Sequence, residues 1–423
     1  MLIECPENLM DCMRNWFDMK IAFLTDGKSP VPATKGGAVE NLIEDLLDEN
    51  ERYHNFDFSV LSIYEENADK KSMQYKHTDF FFVKCLAVVD AIDKIVYWIA
   101  KNILKKKNLI SYRYILRRLY VMSKYPKILL YNDFDRVIVV TNSTLFLVFK
   151  NKKVAAKYKN KIVYYLHNEV RSLFGCEKEV ASIRGLIGIS NFVNTSFRKM
   201  VPSLRDDQCS VLKNGIDTEK FIYRDEKKIT EYREKFGICD SDFVVIFVGR
   251  LVDEKGALEA IKAVKACHDE NMKLLIVGAS FYSSDVVDDY ILQLQKEAEP
   301  IKDKIIFTGY IDYDDMPSIY HLGNVAVLPS IWDEPAGMTM VEAVVSGLPL
   351  ITTNSGGIPE YIPEELAVIL SRDDKLVENI TCNIKRIKEG NNHLGTLNIL
   401  SYSKMNYYCN FEKILFGKVE TRK

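Results

Sequence analysis

From Lys20 onward the chain alternates short, continuously apolar runs with longer stretches of helical periodicity, and this pattern constrains the fold more than any other. The first half carries the runs Ile21–Thr25, Phe56–Ile63, Phe80–Val83, Val137–Thr141, Ile162–Leu166 and Leu186–Ile189. The second carries Val244–Val248, Leu274–Val277, Ile305–Thr308, Val325–Leu328 and Leu350–Thr352. A strand with one wet face alternates apolar and polar residues, whereas these runs do not, so they read as strands of parallel sheets covered by helices on both faces. Between the two sets, residues 201–215 hold Pro202, a polar Arg205-Asp206-Asp207-Gln208 stretch and the turn signal Lys213-Asn214-Gly215. The expected fold is α/β, with two doubly wound Rossmann-like domains facing a cleft. A length of 423 residues suits two cores better than one. The expected division is an N-terminal extension at 1–18, domains at 19–204 and 205–395, and a final helical segment at 396–423. Met19-Lys20 directly precedes the first run, so Met19 is an alternative start.

Cysteine usage and charge exclude several classes. The nine cysteines are scattered singly, with no C-x-x-C pair, so neither a disulfide framework nor a structural zinc site is expected. No apolar run reaches the ~18 residues of a membrane span, and the first residues carry acids where a signal peptide would be basic. The expected location is cytoplasmic. The net charge of −2 conceals an asymmetry: residues 1–200 hold 31 Lys/Arg and 23 Asp/Glu, a net of +8. Much of the excess lies in residues 101–130, with nine basic residues and no acid, interleaved with Ile103, Leu104, Leu109, Ile110, Tyr112, Tyr114, Leu116 and Tyr120. Such a segment suits an anionic bilayer, and also an ordinary solvated helix face or a nucleic-acid patch; the expectation is a chain that sits peripherally at the inner face of the cell membrane, with no nucleic-acid partner.

The loops that follow the apolar runs carry the chemistry. In residues 331–352, Glu334 precedes Pro335, which holds it extended, and Gly337 permits close approach of a ligand to bare backbone. Thr339 is expected to cap the helix that follows, whose first-turn amides and dipole suit a phosphate. Glu342 lies one turn in. Thr339-Met340-Val341-Glu342 also fits a capping box, in which Glu342 would only close onto the Thr339 amide. Val244–Val248 runs into Gly249-Arg250-Leu251-Val252-Asp253-Glu254-Lys255-Gly256. There Arg250 and Lys255 offer a fork and a point charge to a diphosphate, although Lys255 could instead pair with Asp253 or Glu254. In the first half, Gly36-Gly37 opens a helix and could expose amides to an anion or to hydroxyls. His167 stands at the end of an apolar run, where it could bond a sugar hydroxyl or help move a proton.

Taken in order, Phe247-Val248-Gly249-Arg250 with Asp253-Glu254-Lys255-Gly256, Asn214-Gly215-Ile216-Asp217, Phe307-Thr308-Gly309-Tyr310, Leu328-Pro329-Ser330, Glu334-Pro335-Ala336-Gly337 with Glu342-Ala343, Gly347-Leu348-Pro349 and Gly356-Gly357-Ile358-Pro359-Glu360 resemble the retaining sugar-nucleotide glycosyltransferases of family 4, which have the GT-B fold. The resemblance is most specific over residues 244–361 and loosest over 80–160. It implies that Glu334 and Glu342 are the two glutamates of an E-x7-E motif, the first on the donor sugar beside the Gly337 and Met338 amides, the second on the ribose. It implies that Arg250 and Lys255, next to Gly249, grip the diphosphate, that Gly37 lies beside the phosphates, and that His167 stands near the anomeric carbon. Tyr310 and Ile311 would flank the base, and the resemblance implies that the C-terminal helix, in the segment 396–423, crosses back to the first domain.

The implied reaction moves a hexose from a nucleotide diphosphate sugar, expected to be a UDP-sugar, to a hydroxyl of a lipid-linked or polysaccharide acceptor. No cofactor and no metal are expected, because Arg250, Lys255 and the helix dipole can stabilise the leaving diphosphate. Two other readings compete. A GT-B sugar-nucleotide isomerase of the UDP-N-acetylglucosamine 2-epimerase type shares the architecture but needs a different acid/base set. A non-catalytic partner in a membrane-bound complex would be expected to have lost one of Arg250, Lys255, Glu334 or Glu342.

Overall fold

The computed structural model describes residues 19–103, 114–279, 289–391, 395 and 397–416. The 1–18 extension and the alternative start it raises lie outside these residues, as do Lys105, Lys106, Lys107 and Arg113 of the basic segment. By internal contacts the chain forms two units, residues 1–212 with 407–423 and residues 213–406.

The first unit holds a parallel sheet of β1 (Lys20–Leu24), β2 (Asp57–Ile63), β3 (Thr78–Val83), β4 (Arg136–Val140), β5 (Ile162–Leu166), β6 (Gly185–Gly188) and β7 (Cys209–Val211), in the order β3-β2-β1-β4-β5-β6-β7. The second holds β8 (Phe243–Val248), β9 (Met272–Val277), β10 (Ile305–Gly309), β11 (Val325–Leu328), β12 (Leu350–Thr353) and β13 (Val368–Leu370), in the order β10-β9-β8-β11-β12-β13. Every pairing is parallel. The central strands are buried along their length, as the unbroken apolar runs require: Ile21–Leu24 and Val244–Phe247 are at most 1 % exposed. Each sheet reverses its winding between neighbours, β1 and β4 in the first and β8 and β11 in the second. Ligands of such sheets bind beyond the carboxyl ends at that reversal.

The unit boundary falls at Leu212, inside the 201–215 stretch but later than the expected 204. The reason is β7, a three-residue edge strand that pairs with β6 through Cys209, Ser210 and Val211 and keeps residues 205–212 with the first sheet. The return to the first unit likewise starts at Tyr407 rather than at 396. Residues before it stay with the second unit, where the Tyr402 hydroxyl donates to the Tyr361 carbonyl at 2.5 Å and the Ile216 amide to the Tyr402 carbonyl at 2.8 Å. From Tyr407 the helix Lys404–Phe416 joins the first core. Phe411 packs against Phe23, Phe56 and Phe58 with ring centroids 6.0–6.2 Å apart, and Tyr408 donates to Asn50 at 2.8 Å.

The basic segment is built differently from a face of free cations. The helix Ile115–Tyr131 starts on the buried Asp93 carboxylate of the helix Ala87–Asn102, which accepts the Leu116 and Arg117 amides at 2.8 and 2.7 Å. The Arg117 side chain lies 4.0 Å from Asp90 and Arg118 lies 3.3 Å from Asp26, both mostly covered. Acids from other elements therefore neutralise two of the nine basic residues. Lys124 and Lys127 stay exposed, and so do Val88, Ile92, Ile95 and Trp98 of the helix Ala87–Asn102.

Candidate active site

The reversal point of the second sheet brings two loops together. The loop after β8 runs through Gly249 and Arg250 to Gly256, which starts the helix Ala257–Cys267. Gly256 has φ +77°, and a Cβ there would stand 2.1 Å from the Pro329 carbonyl oxygen in the loop after β11. Glycine is required by both the left-handed backbone and this contact. The approach sets Lys255 beside Glu334, with Nζ 2.5 Å from Oε1. Lys255 thus reaches a glutamate of the second loop, while Asp253 uses its carboxylate on the Glu254 amide.

Glu334 is 5 % exposed, and its Oε1 also accepts the Ser330 hydroxyl at 2.8 Å. Its backbone is fixed by Gly356-Gly357: the Gly357 amide donates to the Glu334 carbonyl at 2.6 Å, and a Cβ on Gly356 would fall 2.4 Å from that same oxygen. Hydroxyls of Thr353 and Ser355 hold the Ser330 carbonyl at 2.5 and 2.9 Å. Sequence reasoning placed Ser330 and Gly356-Gly357 in motifs without giving them this work, and it missed Thr353 and Ser355. Arg250 is exposed, and its guanidinium has no ion-pair or hydrogen-bond partner among the described residues. An exposed fork and a paired ammonium therefore stand on one loop, available to an anion.

Gly337, with φ +77°, is the N-cap of the helix Met338–Val345. The cap is not Thr339, whose hydroxyl contacts the Met340 sulfur at 3.7 Å, and the expected capping box is not formed. Glu342 is drawn elsewhere: Oε2 accepts the Tyr320 hydroxyl at 2.9 Å and Oε1 the Tyr313 hydroxyl at 3.2 Å. Both tyrosines lie beyond β10 in the chain, too far from Glu342 for a local pattern to reveal. The carboxyl is 7 % exposed, and burial pushes its pKa up to about 7 against the two hydroxyls and Lys220, which favour the ionised form. With its orphan amides uncapped by a side chain, the helix start retains donors for an anion. Tyr310 and Ile311 follow β10, the tyrosine exposed.

In the first unit, Gly36 and Gly37 have φ +70° and +121° and open the helix Ala38–Tyr53. The turn is not an open cradle. A Cβ on Gly37 would lie 2.1 Å from Glu40 Oε2, so the chain's own carboxyl is folded onto the helix start. Burial raises the Glu40 pKa, opposed by a hydrogen bond from its own amide. His167 follows β5, is 4 % exposed, and shares a 2.8 Å hydrogen bond between Nδ1 and the Thr141 hydroxyl. Its Nε2 has no hydrogen-bond partner among the described residues. Burial alone lowers its pKa to about 3, so the imidazole is neutral at ordinary pH and suits hydrogen bonding better than carrying a proton. At the β1/β4 reversal, Asp26 joins Arg118 and the Asn142 amide, 3.3 and 3.0 Å away, a polar cluster that sequence reasoning did not single out.

Comparison with known proteins bears on the fold that carries these loops. Residues 228–393 match the family described as "Glycosyl transferases group 1". YtcC of Bacillus subtilis (strain 168), which bears a glycosyltransferase name, is 27 % identical over 361 residues, covering 82 % of this chain and 78 % of its own. Spore coat protein SA of the same organism is 25 % identical over 359 residues, covering 82 % and 84 %. Among solved structures, Anabaena HepE in complex with UDP superposes with a TM-score of 0.64 at 17 % identity, over 94 % of this chain and all of that one. Residues 228–393 thus match a group 1 glycosyl transferase domain, and the two parallel-sheet units fit the GT-B fold.

Proposed function

We propose that the chain is a retaining glycosyltransferase of family 4 that moves a hexose from a UDP-sugar to a hydroxyl of a lipid-linked or polysaccharide acceptor. The observation that carries this reading is the pairing of Lys255 with Glu334 beside the unpaired Arg250 and the uncapped start of the helix Met338–Val345. In this reading the diphosphate meets Arg250, Lys255 and the helix start, and Glu334 bonds the sugar. Glu342 holds the ribose. The C1–O bond to the diphosphate breaks as the acceptor oxygen bonds C1 from the same face, and the acceptor proton passes to the departing phosphate oxygen. The cations stabilise the charge that develops on the leaving group, and the protein's remaining task is positioning. His167, held neutral, is suited to donating or accepting a hydrogen bond with a substrate hydroxyl. Support for UDP comes from the HepE complex.

The reading includes work at an anionic membrane surface. It is supported by the outward apolar residues of the helix Ala87–Asn102 and by the exposed Lys124 and Lys127. Apolar burial at the interface and attraction of cations to anionic headgroups act together there.

The test is incubation with UDP-, GDP- and ADP-sugars, with nucleotide release measured in the presence and absence of lipid-linked acceptors. The product anomer is then assigned by NMR. Acceptor-dependent release of UDP with retained configuration supports the proposal; an inverted product, or epimerised donor without transfer, overturns it.

A further inference from the structure

Glu342 is a buried carboxylate whose two oxygens are held by hydroxyls of unequal exposure. Tyr320 is fully buried, and its single hydroxyl proton faces two acceptors, Glu342 Oε2 at 2.9 Å and the Thr339 carbonyl at 3.2 Å. Tyr313 is 49 % exposed and its hydroxyl lies 3.2 Å from Oε1. Phe221 walls both rings, at 5.8 Å from Tyr313 and 6.0 Å from Tyr320. Lys220 stands 5.2 Å above the Tyr313 ring and pairs with Asp314.

We propose that Tyr320 is the positioning residue of the ribose site: its hydroxyl turns the Glu342 carboxylate so that Oε1, covered by the Tyr313 hydroxyl, is the atom offered to the ribose diol. This rests on the donor reading given above. When Glu342 is ionised, the Tyr320 proton points to Oε2. When it is protonated, the Tyr320 proton turns to the Thr339 carbonyl and the tyrosine oxygen accepts from the acid, so the carboxyl keeps a partner in both states. The ionised form accepts ribose hydroxyls more strongly than the acid does. Because the Tyr313 bond is the longer one and its ring is half in solvent, that hydroxyl is the one a ribose replaces.

The experiment measures binding of UDP, GDP and ADP, each beside its 2′,3′-dideoxy counterpart, to the wild type, Tyr320→Phe and Tyr313→Phe between pH 5 and 8.5. For the nucleotide bound most tightly, the wild type is expected to prefer the ribose form. Tyr320→Phe should weaken that form at least tenfold, leave the dideoxy form unchanged, and move the pH midpoint of ribose-dependent binding upward, because the carboxylate loses a donor to its charged state. The charged groups facing Glu342 are Lys220 and, through it, Asp314, and neither is altered. Tyr313→Phe should bind the ribose form as well as the wild type or better. A Tyr320→Phe protein with wild-type ribose preference and midpoint overturns the proposal, as does a tenfold loss in Tyr313→Phe, which stands even if the Tyr320 variant fails to fold. Equal wild-type binding of ribose and dideoxy forms overturns the ribose reading itself.

Discussion

Replacing Glu342 by Gln separates the cost of burying this carboxyl from its use. Burial raises its pKa from an ordinary 4.5 to about 7. Between those values the native state holds a proton that the unfolded chain has released, so stability falls as pH rises through that window. The gap from 4.5 to about 7, at ~1.4 kcal/mol per pH unit, costs the folded protein roughly 3 kcal/mol by pH 8 relative to pH 4. Gln cannot ionise and escapes that cost. Its carbonyl still accepts from Tyr320, and its amide must donate to the Tyr313 oxygen, an exchange worth about 1 kcal/mol in either direction. The variant is therefore expected to be more stable than the wild type by about 2–3 kcal/mol at pH 8. For a domain of this size that is a melting temperature higher by roughly 4–12 °C. Near pH 4.5 the difference should close. Nucleotide affinity should move the other way, about tenfold weaker, because a neutral amide bonds hydroxyls less strongly than a carboxylate. Thermal melts of both proteins from pH 4.5 to 8.5, with nucleotide titrations at pH 8, provide the assay. A melting difference that is the same at pH 5 and pH 8 would refute the burial argument. Unchanged nucleotide binding would leave Glu342 without a ligand role.

Arg250→Ala should lower turnover by about 10²–10³ with no change in melting temperature, since the exposed guanidinium is bound to nothing in the described residues; wild-type turnover would remove it from the diphosphate site. Lys255→Ala should lose comparable activity and also melt earlier, because Glu334 would be left buried with Ser330 as its remaining side-chain partner, a loss of up to ~3 kcal/mol; an unchanged melt would show the ion pair to be solvated. Since burial holds His167 neutral down to about pH 3, His167→Gln should change the rate without moving any inflection of the pH profile between 5 and 8. Lipid vesicles give the last check. Exchanging Ile92, Ile95 and Trp98 for Ser, or Lys124 and Lys127 for Gln, should weaken binding to anionic vesicles, and equal binding of the wild type to neutral ones would refute a charged-surface role.

Two long buried sheets were legible because an unbroken apolar run has few other uses, and the strands from β1 to β6 and β8 to β12 follow the runs closely. The edge strands β7 and β13 escaped because each is three half-buried residues long, too short for any periodicity. At the site, residue types were readable and partners were not. The spacing of Thr339 and Glu342 fits a capping box, yet the tyrosine hydroxyls arriving from 22 and 29 residues earlier take the carboxylate instead. Lys255 has acids two and one positions before it and pairs with one 79 positions on. A run of cations without acids gave no sign of Asp26, Asp90 and Asp93, which come from other elements to meet it. Local sequence ranks neighbours by distance along the chain, and packing ranks them in space.

The two glutamates show what that difference does to chemistry. Glu334 and Glu342 sit eight positions apart and are about equally buried, but the first has an ammonium at 2.5 Å and the second has only hydroxyls. The charge of Glu334 is matched within its own loop pair. The charge of Glu342 meets two hydroxyl dipoles and, without a direct ion pair, the field of Lys220, and burial outweighs them to push its pKa up to about 7. In the donor reading, a nucleotide changes both balances at once. The diphosphate competes with Glu334 for Lys255, while ribose hydroxyls add the hydrogen bonds that the ionised Glu342 lacks. The first exchange frees a glutamate to accept from the sugar, and the second favours release of a proton near neutral pH. Donor binding should therefore liberate a fraction of a proton at pH 6–7, less at pH 8 where Glu342 is already ionised. Calorimetric titrations in buffers of different ionisation enthalpy measure that fraction. No buffer dependence at pH 6.5 would mean that Glu342 does not change its protonation when the nucleotide binds.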